Sequence, residues 1–157
     1  MLHRHLGSED RQQTLWQELN EGTATIVGFA TLCTLALSGT AGPAEELCPE
    51  AMAILVTAVN RGSIEIRVNK ESFDSSERLL GVCVEVSEGE FLLFRKKSEP
   101  EQTIRFLNGF RQLCLAGFAM HHIHREFSLT AKGFEEARKL NPDPLKEYLA
   151  FATEVTH

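Results

Sequence analysis

The 157 residues, 43% apolar and 24% charged, suffice for one domain with a sizeable core, and their composition is that of a soluble globular protein. Collagen-like repeats, extended disorder and a disulfide-stapled miniprotein are excluded. With 16 Lys/Arg against 22 Asp/Glu the net charge is −6, so a polyanion partner needs a local basic patch on an otherwise acidic molecule.

A first helix is expected from Ser8, as its N-cap, to about Asn20, with Leu15, Trp16 and Leu19 as a narrow apolar stripe and Gly22 as its stop. The uncharged run from Thr23 to Leu37 follows. At 15 residues it is shorter than the roughly 20 that cross a bilayer. Glu9, Asp10, Glu18 and Glu21 outweigh Arg4 and Arg11 before it, which is the wrong sign for a signal peptide. It reads as a core or dimer-interface helix in a cytoplasmic protein, with no membrane span. The helical region 1–37 is therefore the expected route to a homo-oligomer.

After a linker at Ser38 to Pro43, Pro49 opens a helix with Met52, Leu55, Val56 and Val59 on one face and Gly62 at its end. Ile64, Ile66 and Val68 then alternate with Ser63, Glu65 and Arg67, the pattern of a half-buried strand. Leu79 to Val86 and Phe91 to Lys96 follow as two more strands joined by a glycine-containing turn, so 63–97 forms a small antiparallel sheet. Beyond it come a helix from Pro100 to Gly117, two short strands turning near His124 and Arg125, and a helix capped by Thr130. A final short helix is expected from Pro142 or Pro144 through Val155. The whole is one α+β domain: N-terminal helices, a small antiparallel sheet and a distinct C-terminal third.

Within that third, Leu113, Gly117 and Phe118 end a helix, and Phe127, Leu129, Thr130 and Gly133 close a hairpin and cap the next helix. This unit, within 99–140, resembles the second half of a winged helix-turn-helix domain. The resemblance covers about a fifth of the chain. It implies a recognition helix at Gln102 to Gly117, a wing at the hairpin, and two earlier helices supplied by the N-terminal half.

On the presumed recognition helix, Phe106, Leu107, Phe110, Leu113 and Cys114 share one side, with Arg105, Asn108, Gly109 and Gln112 opposite and Arg111 at the flank. Arg pairs with guanine, Asn and Gln pair with adenine, and Gly allows close approach, which suits a DNA-reading face. The segment Arg95 to Leu140 carries nine Lys/Arg against five acids, leaving the rest of the chain at −10. The expected partner is accordingly nucleic acid, bound by Arg105, Asn108, Arg111 and Gln112 on the helix and by His122, His124, Arg125 and Lys132 around the wing. The alternative is a protein-interaction or structural homodimer whose polar helix face is only solvent surface.

A third alternative uses His121, His122 and His124, of which a strand puts His122 and His124 on one face, as the start of a metal site. Further ligands at metal spacing are lacking, and no cofactor is expected. The sequence holds no nucleophile elbow, phosphate-binding loop or dinucleotide fingerprint, so no enzymatic activity is expected. Glu45–Glu46 and Glu135–Glu136 are neighbours in sequence and do not face each other on a helix. Cys33, Cys48, Cys83 and Cys114 form no C-x-x-C pair and read as packed, reduced thiols, with a Cys33–Cys48 disulfide as the open alternative.

Overall fold

The computed structural model describes residues 24–39, 46–68 and 80–156; the helix expected from Ser8 to Asn20 lies outside them. In chain order the elements are α1 (Ala24–Leu37), α2 (Pro49–Ala58), β1 (Ser63–Arg67), β2 (Gly81–Ser87), β3 (Glu90–Phe94), α3 (Pro100–Leu115), β4 (Ala119–His121), β5 (Glu126–Leu129) and α4 (Ala131–Lys139). A 3-10 turn (Asp143–Leu145), α5 (Lys146–Leu149) and β6 (Thr153–Val155) complete the chain. The fold is α+β, as the composition and periodicity predict.

All six strands form one antiparallel sheet in the order β4-β5-β1-β2-β3-β6. β1 pairs with β2 on one side and β5 on the other, so the middle strands and the C-terminal hairpin share a sheet. Strand alternation sends Ile64 and Ile66 of β1, Val82 and Val84 of β2 and Phe127 of β5 into the core beneath the helices. Ser63, Glu65 and Arg67 take the other face.

Helix α3 occupies the centre of the helical layer, because its apolar side meets both ends of the sheet. Phe110 packs edge-on against Phe29 of α1 at 5.1 Å and Phe127 of β5 at 5.0 Å. Phe106 stacks on Phe94 of β3 at 4.6 Å and on Phe151 near the C-terminus at 5.0 Å. Such pairs add about 1 kcal/mol each beyond the area they bury. The second stack explains one departure from the sequence reading. The expected final helix stops at Leu149, Phe151 drops into the core, and Thr153–Val155 forms β6 along the outer edge of β3. Two β-branched residues flank its single Glu, and pairing satisfies backbone groups that β3 would otherwise expose.

The turn off α3 follows its motif. Gly117 has φ +78, and the Phe118 N–H reaches back to the Leu113 carbonyl at 2.9 Å. Thr130 then ties three points together: its Oγ1 accepts the Gly133 N–H at 3.0 Å and donates to the Gly117 carbonyl at 2.7 Å, while its N–H donates to the Phe118 carbonyl at 3.0 Å. A Cβ on Gly133 would run into that same Phe118 carbonyl. Helix propensity alone makes Gly133→Ala stabilising by about 1 kcal/mol. The close approach reverses the sign, and urea unfolding of this variant should show a loss of about 1–3 kcal/mol with an unchanged slope.

Candidate functional site

The eight residues expected to bind nucleic acid fall in three places. Arg105 and Asn108 are exposed and Arg111 half-exposed on the outer side of α3. Arg105 is ion-paired with Glu101 at 3.1 Å, and Arg111 Nε donates to Asn108 Oδ1 at 2.9 Å. Gln112 turns toward α2, where its Oε1 accepts the Cys48 N–H at 2.8 Å. It thereby satisfies an amide at the start of α2 that has no side-chain cap of its own.

Gly109 does not belong to the outer face at all. It is buried, and a Cβ there would lie 2.7 Å from the Ala51 backbone nitrogen, so the glycine serves helix–helix contact between α3 and α2. With α1 against one flank through Phe29 and α2 against the other, α3 presents a stripe lying between two helices. Lys132 extends back from α4, its Nζ donating to the Ala116 carbonyl at the end of α3 at 3.1 Å and lying 5.2 Å over the Phe118 ring.

The histidines of the hairpin part company. The strand ends at His121, and the His122 N–H meets the Glu126 carbonyl at 3.0 Å, closing a turn in which His124 takes φ +51. His122 and His124 are therefore not alternate residues of one strand, as the sequence reading had them; the turn intervenes. The His121 ring packs against Phe127 and donates from Nε2 to the His124 carbonyl at 2.8 Å, which fixes its tautomer. Arg125 is half-buried at the end of the turn, its carbonyl accepting the Ile66 N–H at 3.0 Å. His122 lies on the far side of the sheet from α3, with Nε2 2.6 Å from Ser128 Oγ. Of the residues assigned to the wing, His122 thus faces away from α3, whereas Lys132 reaches the end of that helix.

Sequence reasoning missed what His122 does join. The sheet face away from the helices carries a cleft of about 460 Å³ whose walls include Ser63, Glu65, Cys83, Glu85, Phe91, His122, Glu126 and Ser128. Glu65 and Glu126 are direct cross-strand partners. The ladder bonds Leu129 N–H to Gly62 O and Ile66 N–H to Arg125 O leave that pair at a non-hydrogen-bonded position, where side chains approach most closely. Like charges there cost stability. Arg67 lies 3.8 Å from Glu65 and Arg61 3.5 Å from Glu85, offsetting part of the repulsion. The alternation of β1 put Ser63, Glu65 and Arg67 on one face, but nothing local announced that β5 would set Glu126 and Ser128 beside them.

The His122–Ser128 pair does not make a catalytic dyad by itself. Ser128 sits between two paired strands, so the backbone N–H groups around it are taken up by ladders and not arrayed to receive an oxyanion. Among the described residues no three His, Cys, Asp or Glu are grouped to hold a metal ion. No described helix is long and apolar enough to cross a membrane.

Cys83 lies beneath the cleft, 1% exposed, and burial pushes its thiol up to about 11 from the ordinary 9.0. Between those values the unfolded chain loses the proton and the folded chain keeps it, so this group lowers stability as pH rises from 9 to 11. The full effect is about 3 kcal/mol at most. Denaturant unfolding across that window should show a shallower alkaline loss for Cys83→Ala than for the wild type; parallel losses would remove Cys83 from the account.

Comparison with protein-family models, with curated proteins and with solved structures finds no match for the chain.

Proposed function

We propose that the protein is a non-enzymatic interaction module that works as a homodimer joined through the outer face of α1. The observation that carries this reading is the chemistry of that face. Val27, Gly28, Thr31, Thr34 and Leu35 point away from the core, and the helix holds no charged residue. Val27 is 56% exposed and Leu35 39%. Its hydroxyls turn inward: Thr31 Oγ1 donates to the Val27 carbonyl at 2.8 Å and Thr34 Oγ1 to the Ala30 carbonyl at 3.1 Å. With those donors satisfied within the helix, covering the face removes little hydrogen bonding to water.

In a chain of net charge −6, an uncharged face is also where two copies meet with least repulsion. A two-fold contact there leaves the sheet clefts of both subunits facing outward. The nucleic-acid reading draws less support. The positive charge of Arg95 to Leu140 is dispersed, with Lys96 paired to Glu99 at 3.8 Å, Arg105 to Glu101, and Lys139 to Glu136 at 4.0 Å.

Sedimentation equilibrium should show a reversible dimer, and Thr31→Lys should convert it to monomer without changing the circular dichroism spectrum. A wild type that remains monomeric at every concentration overturns the proposal. A labelled duplex DNA titrated at low salt should give no saturable binding. Affinity that tightens as salt falls, and weakens in Arg105→Ala and Arg111→Ala, would assign the function to nucleic acid instead.

A further inference from the structure

The cleft on the sheet face away from the helices is lined by three carboxylates, Glu65, Glu85 and Glu126, and by no lysine or arginine. Those charges are unevenly answered. Arg67 lies 3.8 Å from Glu65 and Arg61 3.5 Å from Glu85, whereas the Glu126 side chain has neither ion pair nor hydrogen bond among the described residues. The pairing of β1 with β5 sets that carboxylate directly across from Glu65, so a positive group seated between them relieves their repulsion.

Two further observations say which cation fits. Among the described residues the carboxylates and His122 form no grouping that could hold a metal ion, so a broad cation with several donors suits them better than a point charge. The second is a guanidinium that the chain itself supplies. Besides facing Glu65, the Arg67 guanidinium lies 5.2 Å from the centre of the Phe91 ring, so two members of the cleft wall already hold one such group by charge and by ring face. At about 460 Å³ the cleft has room for another side chain.

We propose that the cleft docks an arginine side chain of a partner polypeptide, its guanidinium between Glu65 and Glu126 and its aliphatic stem toward Phe91. The planar fork offers N–H donors to carboxylates on both strands at once, which an ammonium does not match. The net charge of −6 adds a longer-range attraction for a basic partner. This surface lies across the sheet from the helical layer, so it stands whether or not α1 joins two copies.

The test is a titration of the isotope-labelled full-length protein with an acetyl-Gly-Arg-Gly-amide peptide, followed by NMR. The backbone amides of Glu65, Glu126 and Ser128 should shift saturably, the citrulline counterpart should leave them in place, and the lysine counterpart should bind at least about tenfold more weakly. Glu126→Gln should weaken binding of the arginine peptide by at least about tenfold while melting no lower than the wild type, because it removes one of two opposed like charges. No saturable shift at millimolar peptide, equal binding of the citrulline or lysine counterpart, or full affinity in Glu126→Gln would each overturn the proposal. Free arginine binding more tightly than the capped peptide would make the cleft a small-molecule site and overturn it too. Sedimentation of the same sample keeps the two readings apart: a monomer that binds the arginine peptide removes the dimer and leaves the cleft, and a dimer that does not bind it does the reverse.

Discussion

The structure hangs on β1 being paired along both edges. Ile64 to Arg67 pair with β2 on one side, and Ser63 to Glu65 pair with β5 on the other, flanked by the bonds from Leu129 to Gly62 and from Ile66 to Arg125. A slip of one residue in either register would turn Ile64 and Ile66 out of the core and bring Glu65 in, so the alternation of this one strand fixes both registers. From that follows the position of Phe127, which with Phe29 and Phe110 ties the hairpin, α1 and α3 into one core.

The same constraint separates surfaces that the linear sequence placed together. Because the hairpin is built into the sheet, its outward alternate positions belong to the open sheet face. His122 and Ser128 therefore meet Glu65 and Glu126, on the side away from the polar stripe of α3. The stripe itself is partly consumed by packing, with Gln112 serving the start of α2 and Gly109 its close approach. Among the described helices, α1 has an outer face without charge, on which the Thr31 and Thr34 hydroxyls bond within the helix. A face of that kind favours another apolar surface over a phosphate backbone, and it is the basis of the proposal that two copies meet there.

The legible parts of the fold were those written locally. Ile64 and Ile66 alternate within three residues, Thr130 caps a helix three residues on, and Phe106, Phe110 and Leu113 mark one side of α3 by spacing alone. The illegible parts join distant residues. Gln112 and Cys48 are 64 positions apart, and an amide side chain on a helix surface carries no mark that it will cap another helix. Thr153–Val155 was hidden because prolines at 142 and 144 resemble helix starts, and three residues cannot display a period. The cleft was hidden for the same reason as β1–β5 pairing, since each strand shows which of its residues share a face but not which strand will lie beside it.

Native-state hydrogen exchange on the Ile66 and Leu129 amides tests the central claim most directly, since these are the bonds that join the hairpin to β1. If β1 holds the sheet as one unit, both amides exchange only through global unfolding, with the same opening free energy as the amides of Val82 and Val84 in β2. Exchange of Leu129 and Ile66 at a markedly lower free energy than the β2 amides would show a hairpin that opens on its own, and would contradict the account.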